Sequence, residues 1–529
     1  MNNSLKYKRR SSFAHVLCTA NSTNGQVGTS LEEMFGSDAN DATFSSNVSD
    51  DVTYDAAAGT FTFARAGIYH IVLVAHTQQE TAHRLHSFAM NLNSDAVFYA
   101  SEKQVNHGYD PVESTHQTIV SIAADDVLHI KIKTAGNVAT IGKGTSVTVT
   151  EITSGHYASQ QATATGTNTN IDEFNPFDTN YTNNPSSYTT VTAGMTVTGT
   201  AGSFTANVAG RYLIMVSNVF VMADQSGGTS QITMKLKKGG TAFATRVVTA
   251  IAADDPAENT FCTIENLAEA DVLTMTWDTS DATAGDGVQA VKGTTFTVYK
   301  LEEGHHKNGI TSGFFGTPHI SVQNTETDFT GTSAEINPFD SDSYDSANSF
   351  DTRVANGITF TPADGKFTVS EPGLYAVYFS PVLEINSGNS VDIEIKVNGT
   401  IQVSSVGKVA NGPDPLDKTV AAFLELNKGD YVTVTIEALA SGVLEFNTGS
   451  QITIFRYFGL FNKVRGRPAG LIKASNVFNT YSIENLTAQY DGNNDQVPFS
   501  KGARGPVNLR GSPGISRAVK GGGTVKRKK

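Results

Sequence analysis

The chain has 529 residues with a formal net charge of −13, 48 glycines and a charged fraction of only 17%. Its length suits several domains, each large enough to bury a core, and its composition favours strands and turns over helices. Because no apolar run reaches 18 residues and the two cysteines, Cys18 and Cys262, are far apart, we exclude a transmembrane helix and a disulfide framework.

Basic residues are concentrated at the two ends of the chain. Residues 1–10 carry a net charge of +4 and residues 462–529 carry +10, which leaves −27 on residues 11–461. Chains with such segregated charge often attach to an acidic partner through their basic end. The alternative is a solvated tail that keeps the protein soluble.

Residues 1–25 are predicted to form a basic leader. The apolar stretch from Phe13 to Ala20 is too short for a secretion signal, and His15 interrupts it. Of the two cysteines, only Cys18 has a nearby histidine, His15. Because both residues are predicted to lie in the leader, we assign this pair no catalytic role.

Three copies of the pattern G-x-F-T-x4-G-x-Y follow the leader. Its fixed positions are Gly59, Phe61, Gly67 and Tyr69; Gly202, Phe204, Gly210 and Tyr212; and Gly365, Phe367, Gly373 and Tyr375. Each copy continues with two further alternating runs, one opened by an Asp and one by a Gly. We therefore predict three homologous domains, at 26–154, 171–303 and 319–461, joined by linkers at 155–170 and 304–318.

Short alternating runs rich in β-branched and aromatic residues predict strands. With almost no helical periodicity, they indicate antiparallel two-sheet sandwiches or jelly rolls that bury one face of each sheet. The second glycine of the pattern is predicted to allow a bulge or a positive φ, and the tyrosine to fix its strand against the opposite sheet.

The segment from Tyr54 to Tyr69, with its Gly59, Phe61 and Gly67, resembles the signature of the complement C1q globular domain, one of the tumour-necrosis-factor-like jelly rolls. The Asn-Pro-Phe-Asp segments at 175–178 and 337–340 resemble an early strand of that family, and the first copy lacks this segment. The resemblance implies all-β, ten-stranded jelly rolls that pack as a trimer around a threefold axis, without enzymatic activity.

Two groups of residues are candidates for metal ligands. His76, His83 and His86 lie close in sequence, but positions 83 and 86 would point to opposite faces of a strand, so exposed or trimer-facing histidines are the preferred interpretation. Asp340, Asp342 and Asp345 could bind calcium, which some members of the resembled family hold. They lack the Gly and the distant Glu of an EF-hand loop, so a solvated turn is preferred and no other cofactor is expected.

Residues 462–529 form a Gly/Pro-containing tail whose composition cannot bury a core. It is predicted to be disordered or to become ordered on a partner. Its attachment residues are Arg504, Arg510, Arg517, Lys520, Lys526, Arg527, Lys528 and Lys529. Docking on a protein is preferred, and contact with nucleic acid is the alternative.

These features favour a non-enzymatic virion structural protein, made in the host cytoplasm, that docks on the capsid or other virion proteins. As a head fibre or capsid appendage, it would display its jelly rolls to host surface glycans or proteins. One alternative is a secreted or cell-surface recognition protein, which would be extracellular, and another is a nucleic-acid-binding protein that acts through the tail. For the assembly, a homotrimer of stacked discs is preferred over an intramolecular pseudo-trimer.

Overall fold

A computed structural model places the chain in two compact units, Met1–Arg10 with Gly459–Lys529, and Ser11–Phe458. The structure describes residues of the second unit, from 12 to 457. The segments outside the described residues are 23–29, 38–41, 50, 80–83, 94–95, 106–110, 135–138, 167–172, 182–183, 223–229, 251–255, 279–287, 302–317, 325–329, 332–334, 342–349, 386–389, 409–413, 418, 439–443 and 447–448.

The described ranges form 37 strands and two 3-10 turns, all strand pairs being antiparallel, in three tandem jelly rolls. The predicted all-β fold class is therefore confirmed. No helix among the described residues is long and apolar enough to cross a membrane. Cys18 and Cys262 are free thiols, and both are buried.

Jelly roll 1 has an inner sheet of order β3-β1-β12-β6, in which β9 and β11 also pair with β6, and an outer sheet of order β4-β5-β10-β7-β8, in which β2 pairs with β10. Its strands are β1 (Phe13–Ala20), β2 (Glu32–Glu33), β3 (Thr43–Val48), β4 (Val52–Asp55), β5 (Thr60–Phe63), β6 (Gly67–Gln79), β7 (Arg84–Leu92), β8 (Ala96–Val105), β9 (Pro111–Ile122), β10 (Val127–Thr134), β11 (Ala139–Ile141) and β12 (Ser146–Glu151).

Jelly roll 2 repeats this arrangement, with the inner order β14-β13-β23-β17-β20, in which β22 pairs with β17, and the outer order β15-β16-β21-β18-β19. Its strands are β13 (Tyr157–Ala162), β14 (Tyr188–Ala193), β15 (Met195–Thr198), β16 (Ser203–Ala206), β17 (Gly210–Met222), β18 (Ser230–Lys238), β19 (Thr241–Ala250), β20 (Pro256–Leu267), β21 (Val272–Asp278), β22 (Val288–Ala290) and β23 (Thr295–Lys300), with a 3-10 turn at Gly199–Ala201.

Jelly roll 3 has the inner order β26-β24-β37-β29-β34, the outer order β27-β28-β35-β31-β32 and a small sheet β25-β36-β30-β33. Its strands are β24 (His319–Asn324), β25 (Thr330–Gly331), β26 (Phe350–Asn356), β27 (Ile358–Thr361), β28 (Lys366–Val369), β29 (Gly373–Ser380), β30 (Val382–Ile385), β31 (Ser390–Val397), β32 (Thr400–Lys408), β33 (Asp414–Asp417), β34 (Val420–Leu426), β35 (Tyr431–Ala438), β36 (Leu444–Phe446) and β37 (Gln451–Tyr457), with a 3-10 turn at Pro362–Asp364.

Each jelly roll has its own apolar core between its two sheets. The signature residues Phe61, Phe204 and Phe367 are fully buried there, and burial of each ring contributes roughly 1.5–3 kcal/mol. The signature tyrosines are also buried. In every copy the tyrosine hydroxyl donates a hydrogen bond to the carbonyl four residues earlier, from Tyr69 to Arg65, from Tyr212 to Val208 and from Tyr375 to Glu371.

The two signature glycines are needed for different reasons. Gly59, Gly202 and Gly365 adopt a left-handed backbone, with φ of 76°, 53° and 58°, which favours glycine. Gly67 and Gly373 do not, so the predicted positive φ is wrong there, whereas Gly210 has a φ of 159°, close to extended backbone. None of the three lies at a register shift, so the predicted bulge is wrong. Gly67 pairs opposite Ile122 without a register shift.

Close packing explains the second glycine instead. A Cβ on Gly373 would lie 2.6 Å from Cδ of Arg456, a separation that real side chains do not adopt. The equivalent side chains over Gly67 and Gly210 belong to Glu151 and Lys300. In each copy, the glycine therefore leaves room for a side chain at or next to the end of the central strand of the inner sheet.

Three sequence-based expectations are corrected by the strand pairing. Two are domain boundaries, and the third is the absence of the early segment from the first copy. Residues 13–20, placed in the leader, form β1 and pair with β12. Residues 157–162, placed in a linker, form β13 and pair with β23. The first copy does have the early segment: Glu32–Glu33 pairs with β10, and Phe35 packs beside Gly59 as Phe177 packs beside Gly202. The Asn-Pro-Phe-Asp motif is therefore one of two sequences that fit this place.

We expect Gly59→Ala to destabilise the protein by about 3 kcal/mol, because it adds left-handed backbone strain to a clash with residues 35 and 36. Gly155→Ala is the matched control, because Gly155 has a similar φ of 71° with no atom within 4 Å of the added Cβ, and we expect a loss of about 1 kcal/mol. Urea denaturation measures both values, and equal losses would contradict the packing role of Gly59.

Candidate functional site: the seams between the jelly rolls

The three jelly rolls contact one another in pairs, and we call these three interfaces seams 1–2, 2–3 and 3–1. Strand β12 ends at Glu151 and β13 begins at Tyr157, so the first connection is short. A connection of this length holds consecutive jelly rolls side by side, whereas the longer linker predicted at 155–170 permitted either assembly.

One contact recurs in all three seams. The glycine before each of β12, β23 and β37 has a φ near +100° and packs on the sixth residue of an outer strand in a neighbouring jelly roll. Gly144 packs on Ser405 of jelly roll 3, Gly293 on Ser101 of jelly roll 1, and Gly449 on Arg246 of jelly roll 2. The contacts run cyclically, so the three jelly rolls form a ring with pseudo-threefold symmetry.

The ring is the intramolecular pseudo-trimer. In the described residues, jelly rolls of the same chain cover one another's inner sheets, which favours the intramolecular pseudo-trimer; the mass of the chain in solution decides between it and the homotrimer of stacked discs. The inner sheets consequently bury both faces. All six residues of β12 are buried, where one buried face per sheet was predicted.

The third residue of β1, β13 and β24 makes an equivalent hydrogen bond in each copy. His15 Nδ1 lies 2.9 Å from Thr148 Oγ1, Ser159 Oγ lies 2.9 Å from Thr297 Oγ1, and Ser321 Oγ lies 3.1 Å from Thr453 Oγ1; all six residues are buried. These pairs satisfy polar side chains that the ring removes from water, which would otherwise destabilise the closed state.

Gln117 and His70 organise seam 1–2. The Gln117 side-chain amide donates to the carbonyls of Met215, at 2.8 Å, and Thr295, at 3.3 Å. Its oxygen lies 3.0 Å from His70 Nε2, so this ring nitrogen carries the hydrogen. The His70 ring meets Tyr299 edge-on at 5.2 Å. Burial lowers the pKa of His70 to about 4, and the Gln117 hydrogen bond opposes this shift.

Arg246 crosses seam 2–3. Its guanidinium is fully buried and donates to the carbonyls of Thr260, Ser380 and Pro381 at 2.7, 3.2 and 3.0 Å. The last two carbonyls belong to jelly roll 3. The guanidinium also lies 5.6 Å from the centre of the Phe261 ring, a cation–π geometry.

Aromatic rings fill seam 3–1. His15 stacks on Phe423 at 5.5 Å, and Phe13 contacts Phe423 and Tyr457. The Tyr457 hydroxyl donates to Ser12 O at 3.0 Å. Leu17 joins the apolar core of jelly roll 3. Burial lowers the pKa of His15 to about 4.

The described members of the two candidate metal groups, His76, His86 and Asp340, lie in three different places. His76 lies in seam 3–1, 3.1 Å from Ser405 Oγ, which fits the trimer-facing interpretation, whereas His86 is buried beside Thr77 within jelly roll 1. Asp340 is half-buried in a turn, its N–H bonded to Asn337. His83, Asp342, Asp345 and the eight tail cations lie outside the described residues. In the described ranges no group of three His, Cys, Asp or Glu side chains could hold a metal ion.

The seam residues Gln117, His70 and Arg246 were not predicted from the sequence. The sequence signal for such residues is that they differ from the residues at the equivalent positions of the other two jelly rolls. Arg246 stands where the other copies have Ser101 and Ser405, and His70 stands where they have Leu213 and Ala376. Such differences become readable only once the strands are aligned.

Two solved structures are similar to parts of this chain. The globular domain of zebrafish complement 1qA is 19% identical, with 27% of this chain and 98% of that chain covered and a TM-score of 0.20. The crystal structure of murine APRIL is 14% identical, with 26% and 99% covered and a TM-score of 0.19. No protein-family model and no curated protein matches the chain. The strand order above therefore defines the fold.

We expect the purified chain to have the mass of a single chain, 56.1 kDa, in solution. The reason is that each seam is already filled by a jelly roll of the same chain. Light scattering measures this mass directly. Three times this value would instead indicate a ring assembled from three chains.

We expect Arg246→Ser, which copies the residue of the other two copies, to destabilise the ring by about 3 kcal/mol, because two carbonyls of jelly roll 3 lose their charged donor. Lys133→Ser, at an exposed position of β10, is the control and should change stability by less than about 0.5 kcal/mol. Chemical denaturation tests both, and a neutral Arg246→Ser would show that seam 2–3 does not depend on this side chain.

Proposed function

We propose that the protein is a non-enzymatic virion structural protein, a head fibre or capsid appendage, that docks through its basic segments and presents its jelly rolls outward. The observation that carries this proposal is the polarity of the ring. The two ends of the described chain meet at one end of the ring, and several connections between strands leave from the other.

The terminal end of the ring is defined by Ser12 and Tyr457, which are joined by a hydrogen bond of 3.0 Å. At this end β6 begins and β12 finishes, since Tyr69 pairs with Glu151. The chain continues from here into the basic segments 1–10 and 462–529, of net charge +4 and +10. Both segments are thus attached to the ring at adjacent points.

The loop end of the ring is defined by the last residues of β6, where Gln78 pairs with Pro111 and Gln79 with Ala139. Strands β9 and β11 begin here, so the connections that lead into these two strands reach this end of the ring. A protein that docks by its terminal end would turn the loop end towards a host surface, where glycans or proteins are its proposed partners.

Charge supports docking by the terminal end. The segment 11–461 carries −27, so an acidic partner would repel the ring and attract the two basic segments. Long-range charge of this kind steers the orientation of an encounter. The proposed role requires no cofactor, and calcium at Asp340 is not part of it.

We expect mass spectrometry to detect the protein in purified virus particles from the source culture. Replacing the eight tail cations, from Arg504 to Lys529, by Gln should reduce its incorporation at least about tenfold, because each lost ion pair weakens docking. Lys133→Gln with Lys428→Gln, both exposed on the ring, is the control and should leave incorporation unchanged.

The outcomes separate the proposed role from its alternatives. Absence from the particles would reject the virion role, and recovery from the culture medium without particles would favour a secreted recognition protein. DNA affinity that falls steeply with salt and disappears on deletion of residues 501–529 would favour nucleic-acid binding through the tail. Particles that bind the host equally well without the protein would reject host recognition.

A further inference from the structure

Two histidines of jelly roll 1 lie in different seams, and neither faces the core of that jelly roll. On β1, Ala14 and Val16 belong to this core, whereas His15 points the other way and stacks on Phe423 of jelly roll 3. On β6, Tyr69 and Ile71 belong to the core. His70 points away from it and contacts Tyr299 of jelly roll 2.

Among the described residues, no charged side chain faces either imidazole to stabilise a proton on it. His15 is surrounded by Thr148 on β12, Asn47 opposite it on β3 and the Phe423 ring on β34. The nearest carboxylate of β12, Glu151, is engaged by Arg65 and the Ser12 N–H, and Glu425 of β34 is exposed.

The surroundings of His70 are equally uncharged. They consist of Gln117 on β9, Thr150 on β12 and Tyr299 on β23. Burial and the neighbouring Cys262 raise the pKa of Tyr299, so the phenol stays neutral at acidic pH. A protonated His70 would therefore be a buried cation whose described neighbours offer no counter-charge.

We propose that the ring is acid-sensitive: protonation of His15 and His70 opens the two seams of jelly roll 1 while the jelly rolls themselves stay folded. Opening a seam exposes the imidazole to water and leaves the apolar core of jelly roll 1 intact. It therefore solvates the new charge at a lower free-energy cost than unfolding a jelly roll. This inference concerns the ring itself and does not depend on what the ring docks on.

The direction of the effect follows from the two states of each histidine. The pKa is about 4 in the closed ring and 6.5 when the side chain is solvated, so the open ring binds more protons between these values. The closed ring is fully favoured above pH 6.5 and loses stability as the pH falls towards 4. Each histidine should raise the opening equilibrium roughly 20- to 30-fold between pH 7 and pH 5.

The chain itself supplies suitable variants. The positions of His15 and His70 are occupied by Ser159 and Leu213 in jelly roll 2, where both are buried in the same kind of seam. The double variant His15→Ser with His70→Leu thus carries side chains that this fold already accommodates. The matched control is His129→Thr, which copies Thr274 at an outer-sheet position where His129 contacts Glu33 rather than a seam.

The experiment follows the full chain by small-angle X-ray scattering, tryptophan fluorescence and far-UV circular dichroism from pH 8 to pH 4. Trp277 is the single tryptophan, and it is fully buried in the core of jelly roll 2. Its emission therefore reports unfolding of the jelly roll 2 core, far-UV circular dichroism reports loss of strands in any jelly roll, and the radius of gyration reports ring opening.

We expect the wild type and His129→Thr to expand between pH 6 and pH 4 with unchanged Trp277 emission and circular dichroism. The double variant should expand only at a midpoint at least about one pH unit lower. Since His76 and His319 are also buried in the inner sheets, the double variant isolates the part due to His15 and His70. If it fails to fold at pH 8, the two single variants should each show about half of the shift.

Three results would overturn the proposal. A wild type that keeps its radius down to pH 4 would show that the seams hold despite protonation. Expansion accompanied by a red shift of Trp277 or a loss of far-UV circular dichroism would show that acid unfolds the cores together with the seams. Equal midpoints in the wild type and the folded variants would show that other groups control the opening.

Discussion

The structure depends on burying both faces of the inner sheets. One face of β12 carries Val147 and Val149 into the core of jelly roll 1, and the other carries Ser146, Thr148 and Thr150, which are equally buried. Such a hydroxyl-bearing face cannot be left in contact with an apolar surface without partners. The neighbouring jelly rolls help to supply them, as in the hydrogen bond between Thr263 and Ser321. Some of the hydroxyls that the ring removes from water thus find their partners across a seam.

Sequence patterns predicted the core of each jelly roll but not the seams, and the reason is physical. A strand such as TSVTVTE alternates apolar and polar residues whether its polar face meets water or another polar face. The repeated Gly, Phe and Tyr positions were predictable because a positive φ and a packed ring admit few alternatives. Strand β1 was missed because a basic segment precedes it, and its pairing with β12 spans more than 120 residues. His70 and Arg246 are determined by a neighbouring jelly roll, which no local pattern reports.

Joining three jelly rolls in one chain allows their equivalent positions to diverge. In a symmetric trimer every seam is identical, and a substitution must be tolerated three times. Here one position holds Ser101, Arg246 and Ser405, and the arginine fits because the carbonyls of Ser380 and Pro381 point at it. The same side chain in seam 3–1 would face Gly144 and Lys143, a like charge. Because equivalent positions hold different residues, each seam makes different contacts. These contacts favour one cyclic order of the jelly rolls.

A ring made from one chain also changes how docking must work in the proposed role. Three chains would gather three basic tails at one end, and such multivalency strengthens binding without new contacts. The single-chain ring carries one leader and one tail, which start from adjacent points because Tyr457 is hydrogen-bonded to Ser12. Its multivalent binding is therefore limited to two basic segments, the leader and the tail, which continue from neighbouring residues. In return, the loop end presents three different jelly rolls rather than three identical ones, so a single ring can offer a host surface more than one kind of contact.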